Sequence, residues 1–261
     1  MRLHTIQGYI QQMYLVEYPD KLLLLDGASR ADVAYLKHYI THEMQRPLSD
    51  LKVVVVTHMH PDHAGGAHLL RKICGAKIIA ANQPGHWYQG LAGWLMFITD
   101  LALARWVANR MRKPRRRLWY ARKLKPDVML NDGDTLPEFS DWQVLETPGH
   151  TDRDLSLYHQ GDSILYVADL IVSVKDKLIS PFPVFYPNRY RESVTRVYQL
   201  QAEHLLIAHG GEVNFDLPAY RHLMDTAPIT PATHWRATKI KFRALIRSIL
   251  LFGWTEKKPS R

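Results

Sequence analysis

The chain has a single cysteine, Cys74, among 261 residues, so no disulfide can form within it and its fold must rest on a packed core. It opens Met1-Arg2-Leu3-His4-Thr5-Ile6-Gln7, without the apolar centre of a secretory signal, and both absences make a reducing, cytoplasmic setting the expectation. No uninterrupted apolar stretch reaches the about twenty residues of a membrane span. The longest candidate, residues 91–108, is broken by Asp100 and Arg105. Internal repeats and low-complexity linkers are missing too, which excludes a fibrous or disordered chain. With 46% hydrophobic and 23% charged residues, one large globular domain, or one domain with an insert, is the economical reading.

Acid is absent where base is densest. Residues 110–125 contain nine basic side chains and no acidic one, and residues 235–261 contain eight against one acid, Glu256. These segments hold half of the 34 lysines and arginines; the remainder, 17 basic against 24 acidic, is net negative although the whole chain is +9. The basicity therefore belongs to two added segments. It suits a polyanionic partner: anionic lipid, nucleic acid or an anionic substrate.

Short strands are expected at residues 3–7, 13–17 and 22–25, then a helix over residues 31–45, where Val33, Leu36, Tyr39 and Ile40 recur at helical spacing before Pro47. Lys52-Val53-Val54-Val55-Val56 is too short and too uniformly β-branched for an amphipathic helix, and reads as a strand buried on both faces. A helix at 66–73 and a strand at 77–80 continue the alternation, which breaks for an insert at residues 83–127. Strands resume at 128–130, 142–146, 155–159 and 163–168, and a helix at 190–201 and a strand at 205–208 complete two mixed β/α halves.

Directly after the valine strand stands Thr57-His58-Met59-His60-Pro61-Asp62-His63-Ala64-Gly65-Gly66. Four imidazole or carboxylate donors within six residues, on a loop at a strand end, suit zinc, iron or manganese. Pro61 stiffens the loop, and Gly65-Gly66 are expected to let the backbone turn tightly into the next helix. His150, Asp169 and His209 each follow an apolar strand beside glycine or a small residue. Singly, each is more often a cap or a satisfied polar group than a ligand.

With the motif, these residues make the chain resemble the metallo-β-lactamase fold superfamily of metallohydrolases, through His-x-His-x-Asp-His followed by a distant His, an Asp and a final His. The resemblance covers roughly residues 1–215 apart from the insert at 83–127, and leaves residues 216–261 as a C-terminal helical extension. It implies an α/β (α+β) fold, a four-layer αβ/βα sandwich. It also implies two divalent metal ions, zinc first and iron or manganese as alternatives. His58, His60 and His150 would hold one ion, Asp62, His63 and His209 the other, and Asp169 would bridge them. By the same resemblance a hydroxide activated by the ions attacks an ester, thioester or lactone, Asp62 orients it and shuttles a proton, and Asp26 supports the ligands from behind.

His60 stands where flavodiiron relatives of this fold usually carry Glu, which favours hydrolysis. The Asp-His-x-Gly-Gly form looks most like the glyoxalase II, lactonase and thioesterase branches. After Asp169, however, come Val172-Ser173-Val174, and the end reads His209-Gly210-Gly211-Glu212-Val213, which departs from the glutathione-binding pattern of glyoxalase II. A small-molecule acyl substrate is thus the expected partner. A phosphodiesterase or nuclease of the same fold, and a mononuclear iron persulfide dioxygenase, are the alternatives.

The insert reads as a buried helical flap over the site or as an apolar lid that grips an acyl chain or dips into a membrane. The C-terminal segment reads as a basic amphipathic helix. Arg236, Lys239, Arg243 and Arg247 fall on one side, and Phe242, Leu245, Ile246, Ile249 and Leu250 on the other, with Trp235 and Trp254 near its ends. Either it packs with its basic face solvated, or it docks peripherally on anionic membrane at the inner face. Nucleic acid ranks behind lipid as a partner, because the apolar half of the insert has no role there. Oligomeric state is not legible.

Overall fold

Four consecutive valines set the layering. Val53 and Val55 enter the core between two sheets, whereas Val54 and Val56 enter the core on the opposite face of their own sheet. All four are buried, as a strand covered on both sides requires, and burial of each side chain contributes about 1.5–3 kcal/mol. The computed structural model of the protein describes residues 1–252, except the side chains of residues 244, 245 and 247–252.

The first sheet has the order β1 (Arg2–Gln7), β2 (Gln12–Glu17), β3 (Leu22–Leu24), β4 (Leu51–Val56), β5 (Lys77–Ala81), β6 (Val128–Leu130). The β1–β2 and β2–β3 pairs are antiparallel, and β3 to β6 are parallel to one another. The second sheet takes β7 (Thr135–Leu136), β8 (Phe139–Glu146), β9 (Leu155–His159) and β10 (Ile164–Tyr166). After a separate hairpin, β11 (Val172–Val174) and β12 (Lys177–Ile179), it adds β13 (His204–Ile207) and β14 (Gly211–Val213). Helices α1 (Val33–His38), α2 (Pro61–Ala64), α3 (Ala67–Cys74) and α4 (Gly90–Arg110) belong to the first half; α5 (Pro187–Gln199), α6 (Leu217–Thr226) and α7 (His234–Phe252) follow in the second. Val33, Leu36 and Leu70 cover the outer face of the first sheet, and Tyr190, Val194, Val197 and Leu223 that of the second. The result is an αβ/βα sandwich of four layers.

Several elements differ from expectation. The helix over residues 31–45 is α-helical only in α1, then continues as a π-helical turn at Tyr39–Glu43 whose Met44 N–H donates to the Tyr39 carbonyl. The strand expected to reach residue 168 stops at Tyr166, because Ala168 takes a left-handed φ of 47° that no strand accommodates. The insert is helical only in α4; residues 111–127 are irregular. Helix α6 begins at an unheralded cap, Asp216, whose carboxylate accepts the Ala219 N–H at 2.9 Å. Gly65 and Gly66 have ordinary right-handed φ values of −62° and −90°. Closeness, rather than a special turn, accounts for Gly66: a Cβ there would lie 2.7 Å from the Gly27 carbonyl oxygen.

Helix α7 reverses the simplest packing scheme for an amphipathic helix. Its described buried residues are Ala237, Thr238 and Lys241, and it packs beside α4. Phe242 and Ile246, assigned to its apolar side, are exposed. Leu245, Arg247, Ile249 and Leu250 lie outside the described side chains, and Trp254 outside the described residues.

Candidate metal centre

All seven predicted ligands arrive from carboxyl ends of strands at one edge of the sandwich. The loop after β4 carries His58, His60, Asp62 and His63, the loop after β8 carries His150, and Asp169 and His209 follow β10 and β13. Gly149 makes the His150 loop fit, because a Cβ there would sit 2.5 Å from Tyr190 Cα. The left-handed Ala168 turns the chain immediately before Asp169, and strained backbone of this kind is common where a functional side chain must be aimed.

The side chains converge in two groups, His58, His60, His150 and Asp169 in one, Asp62, His63 and His209 in the other. In the first, His60 Nδ1 lies 3.1 Å from His58 Nε2 and 3.0 Å from His150 Nε2. A tetrahedral ion with bonds of 2.0–2.1 Å places its ligand atoms about 3.3–3.4 Å apart, near that spacing. His150 Nδ1–H donates to the Pro183 carbonyl at 2.6 Å, which leaves the Nε2 lone pair for a metal. In the second group His209 Nε2 stands 3.2 Å, and His63 Nε2 3.8 Å, from Asp62 Oδ2. Asp169 spans both: Oδ1 is 3.3 Å from His63 Nε2 and 3.5 Å from His209 Nε2, while Oδ2 is 3.9 Å from His58 Nε2 and 4.0 Å from His150 Nε2.

Electrostatics fit cations in this place. Burial, reinforced by neighbouring imidazoles, holds His58 and His60 well below the usual histidine range, so both are neutral donors. Burial also works against charge on His63 and His209, yet Asp169, Asp62 and, for His63, Asp26 outweigh it and raise both. Asp169 is held well below the carboxylate range, and Asp62 is lowered, by His63 and His209 against the cost of burial. Protons on two histidines thus balance two buried carboxylates, a task that a divalent ion performs in their stead. Buried His63 Nε2 and Asp169 Oδ1 make no hydrogen bond, as atoms reserved for a ligand would not. The donor set and its orphaned atoms fit the divalent metals.

Asp26, expected to support the ligands from behind, lies against His63 of the second group. Its Oδ2 accepts His63 Nδ1–H at 2.6 Å, the Thr57 hydroxyl at 2.7 Å and the Tyr166 hydroxyl at 2.9 Å; Oδ1 accepts the Gly27 N–H at 2.9 Å. It therefore fixes the ring that must present Nε2. Asp26→Ala is expected to lower affinity for Zn²⁺ about 10–100-fold with the far-UV dichroism retained, measured by competition against a chelating dye. Unchanged affinity would mean that His63 needs no such support.

Sequence reasoning did not find a further network, built by the insert. Tyr88 and Tyr120, which flank α4, both donate to the carbonyl of Met59, between two of the histidines. The single Tyr88 hydroxyl proton is shared between that carbonyl, at 3.2 Å, and Asp100 Oδ2, at 2.9 Å, and Asp100 pairs through Oδ1 with buried Lys241 of α7. Asp100 Oδ2 is also 3.7 Å from His60 Nε2. Burial first, then the Asp100 charge, raises the Tyr88 phenol far above its usual range, so it stays a donor. The only advance signal was an acid, Asp100, inside an apolar helix.

A cavity of about 270 Å³ opens on the metal groups, with His60, Asp62, His150, Asp169 and His209 on its floor. Ile10, Leu103, Val107, Val172, Val174 and Phe182 make its wall apolar, and Asp100 and Lys241 reach its margin.

An αβ/βα sandwich with a divided His/Asp centre where the strands of both sheets end defines a metallohydrolase. The chain belongs to the Metallo-beta-lactamase superfamily, whose family model matches residues 7–209. It is similar to a probable metallo-hydrolase of Bacillus subtilis (strain 168), YflN, at 21% identity over 226 residues, 79% of this chain and 83% of that one. Among solved structures it is similar to ST1585, an archaeal member of the superfamily from Sulfolobus tokodaii. There the TM-score is 0.61 at 19% identity, with 94% of this chain and 98% of the other covered. It is also similar to TTHA1623 in a di-iron-bound form, with TM-score 0.55, 18% identity, and 88% and 100% of the two chains covered. These structural likenesses show a common fold.

Proposed function

We propose that this chain is a dinuclear zinc hydrolase of an ester, thioester or lactone whose acyl part is lipophilic. The observation that carries the reading is the cavity, with a floor of metal-binding side chains and a wall of apolar ones. In this reading His58, His60 and His150 would hold one ion and Asp62, His63 and His209 the second, with Asp169, whose oxygens face both groups, shared between them. Bound divalent ions supply an activated water and a Lewis acid toward the acyl oxygen. Asp62, on the cavity floor and 3.2 Å from His209 Nε2, is placed to take a proton from the attacking water and return it to the leaving group. Asp26 keeps His63 in register, and the Tyr88 and Tyr120 hydroxyls hold the Met59 turn between His58 and His60. Leu103 and Val107 of α4, with Phe182 on the same cavity wall, would take up the acyl chain and exclude water.

The test is hydrolysis by zinc-loaded protein of thioesters and lactones of increasing acyl length, with a phosphodiester as contrast. Each added methylene buried against the wall is worth up to about 0.8 kcal/mol, so kcat/KM should climb about two- to fourfold per carbon until the cavity is full. Rates indifferent to length would remove the lipophilic part of the reading. Cleavage of the phosphodiester alone would replace the ester class.

A further inference from the structure

We propose that α4, α7 and the basic tract after α4 form a docking surface for an anionic lipid bilayer, on which the protein lies without crossing it. The inference goes beyond the hydrolase reading and does not rest on it.

Helix α4 is apolar on two sides. Its buried stripe is Gly93, Met96, Phe97, Asp100, Ala104 and Ala108, yet Leu91 is 75% and Trp94 44% exposed, and Leu95 and Ala102 on the opposite side are half-buried. A soluble helix normally turns polar residues to that side. Helix α7 lies alongside and repeats the anomaly. It buries Ala237, Thr238 and Lys241 and exposes Trp235 at 54%, Phe242 at 58% and Ile246 at 40%. These three residues fall within about 40° of one another around the helix. Trp119, on the irregular segment after α4, is exposed as well and meets Phe97 edge to face.

The charge around these apolar groups has one sign. Among the described residues, no acid makes an ion pair with any basic residue of segment 110–125; the nearby Asp127 pairs with Arg71, outside it. Arg236, Lys239 and Arg243 likewise have no acidic partner among the described residues. Two cations instead lie over indoles, Lys239 Nζ 4.9 Å from the Trp235 ring centre and the Arg110 guanidinium 5.0 Å from that of Trp106. Aromatic rings beside basic groups match the boundary of an anionic bilayer, where rings enter the headgroup region and cations meet phosphates.

Other occupants fit less well. A two-fold contact with a second copy through this face would press each basic tract toward its twin. Nucleic acid would satisfy the charge and leave Leu91 and Ile246 against a polar backbone. Helix α4 is long and apolar enough to cross a membrane by length and composition. Spanning would nevertheless break the Asp100–Lys241 pair and uncover Met96 and Phe97, so it lies at the surface. Because Leu103 and Val107 of the same helix line the cavity, docking through α4 would hold that cavity near the lipid.

The experiment is co-sedimentation of the full chain with phosphatidylcholine vesicles, with and without about one third phosphatidylglycerol, at low and high salt. Binding is expected only with phosphatidylglycerol and should weaken in high salt. Two variants, Trp94→Ser/Trp235→Ser/Phe242→Ser and Arg236→Gln/Lys239→Gln/Arg243→Gln, should each bind about tenfold more weakly or worse. Their melting temperatures and metal contents, both read without any substrate, should match the parent. Equal binding to both vesicle types, or undiminished binding by either variant, would overturn the proposal. So would a dimer of the parent that the apolar variant dissociates, or binding to an oligonucleotide in preference to vesicles. Failure of every substrate in the hydrolysis panel would leave this readout intact.

Discussion

Asp169→Ala is expected to yield a folded chain with at most one tightly bound metal ion and a kcat/KM reduced on the order of a thousandfold, about 4 kcal/mol of transition-state stabilisation. The size follows from position. Asp169 is the one described ligand whose two oxygens face different groups, Oδ1 toward His63 and His209 and Oδ2 toward His58 and His150. Its loss removes a donor from both and a buried negative charge from between them. Asp169→Asn separates these effects, since it keeps the volume and one oxygen but not the charge. The second ion should also leave first on acidification, because His63 and His209, whose protons the Asp62 and Asp169 carboxylates favour, must lose them to bind it. Metal analysis after dialysis, with the rate on the best ester, measures all of this. Two ions and an undiminished rate in Asp169→Ala would dismiss the dinuclear reading.

Asp100→Ala should destabilise the fold by about 3–5 kcal/mol, because it strands the Lys241 ammonium in a place where its side chain is 2% exposed. Lys241→Met should cost a comparable amount, leaving the Asp100 carboxylate with the Tyr88 hydroxyl as its remaining close donor. The double variant Asp100→Leu/Lys241→Met should recover most of either loss, since two apolar side chains of similar volume replace two desolvated charges. Urea unfolding of the four proteins completes the cycle. A double variant as unstable as the sum of the singles would mean that shape, not charge, holds α4 to α7.

Much of this was legible along the chain because it is local. The valine run of β4 specified its two-sided burial, and the His58–His63 motif concentrates four donors within one loop. His150, Asp169 and His209 could be joined to it only through a family pattern, since no spacing rule links strand ends so far apart. The Tyr88–Asp100–Lys241 network stayed hidden for the same reason: Asp100 and Lys241 are 141 residues apart, and a lone acid in an apolar helix does not name its partner. For α7 a helical wheel sorted the faces, but which face is covered depends on the surface it meets. There, α4 offers Asp100, and the side of α7 that carries Ala237, Thr238 and Lys241 turned inward, while Arg236, Lys239 and Arg243 stayed exposed.

The two phenols that grip the Met59 carbonyl carry one more implication. Tyr88 and Tyr120 lie on either side of α4, so lifting of the insert is expected to release both and loosen the ligand loop in the same local-unfolding event. Amide exchange in residues 57–63 should therefore report on contacts made 20 or more residues later in the chain. Such coupling is reciprocal in free energy: whatever steadies the outside of α4 should tighten the binding of an ion within, and a bound ion should in turn anchor the helix.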